Sequence, residues 1–75
     1  MVERLPSVRA KDLLKALQRA GFVLERQKGS HAVLREPTTK RMTVVPMHPG
    51  DLPRSLLQTI LKQAGISVEE FRALL

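Results

Sequence analysis

Two histidines are the side chains of this sequence best suited to moving protons near neutral pH. They are His31 and His48. A histidine side chain in water has a pKa of about 6.5, so imidazole can both accept and donate a proton there. RNA carries its own nucleophile, the 2′-hydroxyl, which attacks the adjacent phosphorus once a base removes its proton. The histidines therefore indicate metal-independent RNA cleavage as one chemistry open to this chain, with acid–base catalysis contributing about 10²- to 10⁴-fold.

His31 has the more favourable surroundings for catalysis. It follows Gly29 and Ser30 in a short turn and opens a predicted strand, so a sheet holds its side chain near a place where backbone approaches a ligand closely. Cations that we expect to hold a phosphate lie in the same hairpin, namely Arg26, Lys28 and Arg35. The alternative is a structural or solvated histidine, because strand alternation does not say whether this face is open.

His48 lies between Pro46 and Pro49, in a loop stiffened by the two rings. It is a candidate for the second half of an acid–base pair, and a surface turn residue is the alternative. Ser30 is a weaker candidate nucleophile, because neighbouring side chains of an extended chain point to opposite sides and no acidic partner is evident.

Other catalytic chemistries find little support in the sequence. Cysteine is absent, which excludes a thiol nucleophile and a cysteine-based zinc site. The acidic residues Asp12, Glu25, Glu36 and Asp51 fall on separate predicted elements, so the clustered carboxylates of a two-metal nuclease are not expected. We predict no metal and no small-molecule cofactor.

Charge and length restrict the class of partner. The 75 residues include 13 Lys and Arg against seven Asp and Glu, a formal charge of +6 that favours a polyanion, with nucleic acid first. The alternative is a basic domain that is merely soluble. A chain of this length predicts one domain, residues 1–75. It has no apolar run long enough for a membrane helix, and residues 1–7 lack a signal-peptide pattern, so we expect a cytoplasmic protein without membrane contact.

The apolar pattern predicts a helix followed by three strands. Ser7 is expected to cap the helix, Gly21 to end it, and one face to be buried, comprising Ala10, Leu13, Leu14 and Leu17. Its other face carries Arg9, Lys11, Lys15 and Arg19 with Asp12, a mostly cationic pattern that is typical of a solvated surface or of an RNA contact. Strands are predicted over residues 22–28, 31–36 and 41–45 as an antiparallel meander, with Phe22, Leu24 and Arg26 on one side.

Two further helices complete the predicted fold. Residues 46–51 form a loop because two prolines prevent continuation of the strand, and a helix then runs over residues 53–64 with Asp51 or Leu52 at its cap. Its buried face comprises Leu56, Leu57, Ile60, Leu61 and Ala64, and Gly65 ends it. Ser67 and Glu70 match a capping box that begins a short last helix carrying Phe71 and Leu74. This order predicts an α+β two-layer sandwich, and its topology resembles the double-stranded RNA-binding domain.

Four short blocks together resemble the HicA family of toxin–antitoxin mRNA interferases. They are GF at residues 21–22, RQKGSH at 26–31, TVVPMHPG at 43–50 and LQTILKQAGIS at 57–67. The resemblance implies a double-stranded-RNA-binding-like fold, cleavage of mRNA, and neutralisation by a HicB antitoxin that covers the active site. The family's catalytic histidine is the one in Gly-Ser-His, which corresponds to His31.

The expected site therefore has His31 as its catalytic residue. RNA contacts are expected from Arg26, Lys28, Gly29, Ser30, Arg35 and His48. The sequence departs from the family over residues 51–56, DLPRSL, where many relatives have Gly-Thr-Leu, which puts a phosphate contact there in doubt. Two alternatives stay open: an RNA-binding module without catalysis, and a protein-interaction domain that docks an acidic partner.

Overall fold

A computed structural model describes residues 5–75. Its helices and strands, in chain order, are α1 (Ala10–Arg19), β1 (Val23–Lys28), β2 (His31–Arg35), β3 (Met42–Pro46), α2 (Arg54–Ala64) and α3 (Val68–Leu74). The predicted α+β order of a helix, three antiparallel strands and two more helices is confirmed. Within the described residues, no helix is long and apolar enough to cross a membrane. The signal-peptide prediction concerns residues 1–7, of which 1–4 lie outside the described residues.

The two long helices end at the predicted glycines. Gly21, with φ of 105°, follows α1, and the amide of Phe22 donates to the carbonyl of Leu17 at 2.9 Å. Gly65, with φ of 72°, follows α2, and the amide of Ile66 donates in the same way to Leu61 at 3.0 Å. These six-to-one hydrogen bonds satisfy carbonyls that the helix itself leaves unpaired, and they need a left-handed residue that glycine supplies without steric cost.

The predicted caps at the starts of these helices are wrong. Arg9 occupies the cap position of α1 and Pro53 that of α2, and neither side chain caps its helix. Ser7 lies two residues before the α1 cap, and Asp51 instead forms an isolated antiparallel bridge with Arg9. Through that bridge, the segment before α2 pairs with the segment before α1. Neither helix consequently has a side-chain hydrogen bond at its cap.

One face of the sheet is buried and the other is open. The strand order is β1-β2-β3, and Ala32, Leu34, Thr43 and Val45 are buried on the inner face. Both α1 and α2 pack on that inner face, and Phe71 of α3 is fully buried in the same core. The outer face carries His31 and Arg35. The open question of which face His31 occupies is thereby answered: it lies away from the helices.

A β-bulge at Glu25 interrupts the first strand. Leu24 pairs with Leu34, but the next pair is Arg26 with Val33. Glu25 therefore has no paired residue on β2. Leu24 therefore lies toward the inner face and Arg26 on the outer face. The prediction that both side chains share one side of the strand is wrong. The strand also begins at Val23 rather than Phe22, because the Phe22 amide completes the end of α1.

The capping box of α3 is confirmed. The Ser67 hydroxyl accepts from the Glu70 amide at 3.0 Å, and the Glu70 carboxylate accepts from the Ser67 amide at 3.1 Å. These two bonds satisfy backbone donors that a short helix would otherwise leave to water. They position the segment that carries Phe71 into the core.

Replacement of the capping serine is expected to weaken the fold measurably. Ser67→Ala should lower the free energy of unfolding by about 1 kcal/mol, a typical value for loss of a side-chain cap. In a domain of this size that corresponds to a fall of roughly 4–8 °C in Tm. Ser55→Ala is the matched control, because Ser55 is exposed within α2. Thermal melts showing equal losses in both variants would contradict the role of the capping box.

Candidate active site on the open face of the sheet

His31 is the first residue of β2 and its side chain is exposed on the open face. It pairs with Lys28 of β1 on one side and with Pro46 of β3 on the other. Because directly paired residues of antiparallel strands share a face, the Lys28 ammonium lies on the same surface as the His31 ring. The hairpin thus places a histidine and a cation side by side in solvent.

Pro46 is part of β3, contrary to the prediction that the strand ends before it. It is the last residue of that strand and pairs with His31. Because β3 is an edge strand, a proline without an amide hydrogen is tolerated there. The pairing carries the strand one residue further and so brings the following loop directly to the His31 end of the sheet.

The structure brings the two histidines together. The ring centroids of His31 and His48 are 6.5 Å apart, with an angle of 79° between the ring planes. Both side chains are exposed. The amide of Met47 donates to the carbonyl of Ser30, so the residue before His48 is held against the residue before His31. Two proton-transfer groups therefore face a common space that is open to solvent.

The far end of the His48 loop is also anchored. The Leu52 amide donates to the carbonyl of Val8 at 2.9 Å, and Asp51 forms its antiparallel bridge with Arg9. The loop is consequently held at one end by the β1–β2 turn and at the other by the segment that leads into α1. This arrangement fixes the position of His48 by backbone hydrogen bonds on both sides.

The candidate phosphate-binding cations do not all lie near His31. Lys28 is directly opposite His31, and Arg26, paired with Val33, is two residues along the same face. Arg35 lies four residues from His31, about 13 Å along an extended strand. Its guanidinium Nε donates to the Glu25 carboxylate at 2.7 Å. The structure thus brings Arg26 and Lys28 to the histidine end of the sheet and leaves Arg35 at the other.

The β1–β2 turn leaves room for a ligand. Gly29 has φ of 59°, and a Cβ added there would meet no atom within 4 Å. Ser30 is half-buried, and its carbonyl accepts the hydrogen bond from the Met47 amide that anchors the His48 loop. The backbone of the turn is therefore accessible on the Gly29 side and committed to structure on the Ser30 side.

The acidic side chains of residues 5–75 do not build a metal site at the histidine pair. Among residues 5–75, no three His, Asp or Glu side chains are grouped so that they could hold a metal ion. Glu36 follows β2 at its far end, and hydrogen bonds from Thr39 and Thr38 lower the pKa of its carboxyl group. Glu36 therefore organises the β2–β3 turn, at the opposite end of β2 from His31.

Two cations at the beginning of α1 lie beside His48, although the sequence did not place them among the expected site residues. Arg9 and Lys11 line a surface depression of about 360 Å³ together with His48 and Gly50. The available signal was the cationic face of α1, for which a solvated surface was the favoured interpretation. Another member of that face, Arg19, donates instead to the carbonyl of Leu74 at 2.6 Å, which ties α1 to α3.

Comparison with known proteins gives one family match. The family model described as HicA toxin of bacterial toxin–antitoxin matches residues 10–66 of the 75-residue chain. The match extends from the start of α1 to just beyond α2 and includes both histidines and the hairpin cations. No curated protein matches the chain.

Proposed function

Because the chain belongs to the HicA toxin family of bacterial toxin–antitoxin systems, we propose that this toxin is a metal-independent endoribonuclease that cleaves mRNA. The observation that supports the proposal best is the pair of exposed imidazole rings whose centroids are 6.5 Å apart. A scissile phosphate placed between them has a proton acceptor on one side and a proton donor on the other. The whole of residues 1–75 acts as one domain in this proposal.

In the proposed reaction, His31 is the general base. It removes the proton from a 2′-hydroxyl, whose oxygen then forms a bond to the adjacent phosphorus. We assign this role to His31 because attack must be aligned with the leaving bond, and a side chain on a sheet is held more firmly than one on a loop. The bond from phosphorus to the 5′-oxygen of the next nucleotide breaks.

His48 is the general acid of the same step. It gives a proton to the departing 5′-oxygen, so the products are a 2′,3′-cyclic phosphate and a 5′-hydroxyl. One proton is gained at His31 and one is lost at His48, and solvent restores both because both side chains are exposed. No oxidant, reductant or cofactor enters the balance.

The cations of the hairpin position the RNA. Lys28 lies beside His31 and supplies positive charge where the phosphorus oxygens become more negative during attack. Arg26, on the same face, holds a neighbouring phosphate, and the open backbone at Gly29 allows the chain to approach. The pairing of Arg35 with Glu25 supports only a peripheral contact from that arginine.

The partner that controls this toxin is proposed to be a HicB-type antitoxin acting in the cytoplasm. The site lies on an open face, with exposed apolar side chains such as Met42 and Val44 on the same side as His31. A basic and partly apolar surface suits an acidic protein that covers both histidines at once. In this proposal the antitoxin blocks access of RNA to the site.

The proposal predicts that RNA cleavage survives removal of divalent cations. Purified chain incubated with a long single-stranded RNA in excess EDTA should produce discrete fragments at the same rate as in buffer containing Mg²⁺. Cleavage only with the metal would contradict the mechanism. Intact RNA with shifted gel mobility would instead indicate a binding module without catalysis, and RNA that is neither bound nor cut would indicate a protein-interaction domain.

A further inference from the structure

A depression beside His48 has the charge and the openness expected of a second phosphate-binding position. Arg9 and Lys11 contribute exposed cationic side chains to its lining, and none of the lining residues found within residues 5–75 is a carboxylate. His48 is part of the same lining. The depression therefore adjoins the histidine pair through His48.

Backbone hydrogen bonds fix this depression relative to the histidine pair. Its two sides are the beginning of α1 and the loop that carries His48, and the bond from Leu52 to Val8 joins them at 2.9 Å. The bridge between Asp51 and Arg9 reinforces the same junction. The backbone that carries Arg9 and Lys11 is thus joined by the fold to the loop that carries His48.

The two cations are not engaged by carboxylates of the described chain. Within residues 5–75, the ion pair that the structure contains joins Arg35 and Glu25. Among the described residues, no carboxylate therefore competes with an anion from solution for Arg9 and Lys11. At Gly50, on the opposite wall, an added Cβ would meet no atom within 4 Å, so that wall also leaves space.

We propose that Arg9 and Lys11 bind the RNA phosphate immediately 3′ of the scissile one. This inference rests on the proposed function, in which His48 protonates the 5′-oxygen of the leaving nucleotide. The nucleotide on the His48 side is then the one 3′ of the cut, and its own 3′-phosphate passes into the depression. The RNA strand runs from Arg26 and Lys28, across the histidine pair, to the beginning of α1.

The first test measures binding to RNA that cannot be cut. An oligonucleotide containing the mapped cleavage sequence, with 2′-deoxyribose at the scissile nucleotide, is labelled and titrated by fluorescence anisotropy. The Arg9→Ala/Lys11→Ala variant should bind about tenfold more weakly than the parent. Its dependence of log K on log salt should also be shallower by about 0.7, the value for one phosphate contact on a single strand.

A matched control separates a local site from general positive charge. Lys62→Ala/Arg72→Ala removes two exposed cations, one from the last turn of α2 and one from α3. It has the same net charge as the Arg9→Ala/Lys11→Ala variant, so long-range attraction of RNA falls equally in both. We expect the control to bind within about twofold of the parent. Equal weakening in the two double variants would overturn the subsite.

A second test locates the phosphate on the RNA. A neutral methylphosphonate replaces one phosphate at a time along the uncleavable oligonucleotide. Substitution directly 3′ of the scissile position should weaken binding by the parent and have no further effect on the Arg9→Ala/Lys11→Ala variant. If methylphosphonate at that position still weakens binding by the variant, the proposed position is wrong. It is also wrong if the variant loses the effect only of a methylphosphonate 5′ of the scissile position.

The outcomes distinguish this inference from the proposed function. If the chain cuts no RNA, the proposed function fails, and an uncleavable oligonucleotide of arbitrary sequence still reveals whether one methylphosphonate position depends on Arg9 and Lys11. If the chain cuts RNA but the two alanines change neither affinity nor the methylphosphonate pattern, only the subsite fails.

Discussion

His31→Ala is expected to slow RNA cleavage by orders of magnitude while leaving the protein folded. Loss of the proposed general base should reduce the rate by about 10²- to 10⁴-fold, the usual contribution of a positioned acid–base group. The side chain is exposed, so its removal leaves no cavity in the core. The measurement is the initial rate of fragment formation from single-stranded RNA in EDTA.

A second substitution controls for shape and for folding. His31→Gln retains a planar polar group that can hydrogen-bond but cannot transfer protons near neutrality, so it should be as inactive as the alanine variant. Circular dichroism spectra and Tm values of both variants should match those of the parent. Cleavage at the parental rate by a folded His31→Ala variant would show that His31 is not the base.

His48→Ala is expected to lose about 10²-fold or more of the cleavage rate for natural RNA, because no group then protonates the leaving 5′-oxygen. The loss should be largely reversed when that oxygen is replaced by sulfur at the mapped cleavage site. A thiolate leaves without protonation, so such a substrate no longer needs a general acid. The measurement is the ratio of cleavage rates for the sulfur and oxygen substrates in parent and variant.

His31→Ala is the matched control for the leaving-group test. Its defect lies in formation of the nucleophile, which sulfur at the leaving position does not repair. We therefore expect rescue of the His48 variant and none of the His31 variant. Rescue of His31→Ala alone would show that the two roles are exchanged, and rescue of neither would contradict acid catalysis by His48.

The parts of the fold that depend on local chemistry were predictable from the sequence. The glycines after α1 and α2 and the Ser67–Glu70 capping box carry their own signals, because each needs a particular residue type at a fixed spacing. Period-two alternation along β2 also accounts for His31 lying opposite the inward-facing Ala32. Alternation does not say on which face of the sheet the helices pack, and that packing decides which face remains open.

The bulge at Glu25 and the starts of the helices were not predictable in the same way. A bulge of this kind requires no special residue type, and nothing in the residues around Glu25 indicates that it has no paired residue on β2. The segments before α1 and α2 pair with each other through Arg9 and Asp51, and this tertiary bridge overrides the local capping preference. Both misses arise from pairing between segments distant in sequence.

The candidate site was predictable in its residue types but not in its geometry. His31 and His48 are 17 positions apart in the sequence. Their proximity depends on the pairing of Pro46 with His31 and on the bond from the Met47 amide to Ser30. Neither contact corresponds to a sequence motif from which it could be predicted. The contribution of Lys11 to the depression beside His48 is likewise a consequence of packing and not of spacing.

The chemical ends of the RNA fragments test the central claim most directly. Fragments from the EDTA reaction are labelled at their 5′ ends by polynucleotide kinase without prior phosphatase treatment, and their 3′ ends are identified by mass spectrometry. Attack by the 2′-hydroxyl between His31 and His48 predicts 5′-hydroxyl ends that label at once and 2′,3′-cyclic phosphates at the 3′ ends. Fragments with 5′-phosphates and 3′-hydroxyls would show that water was the nucleophile and would contradict the proposed roles of both histidines.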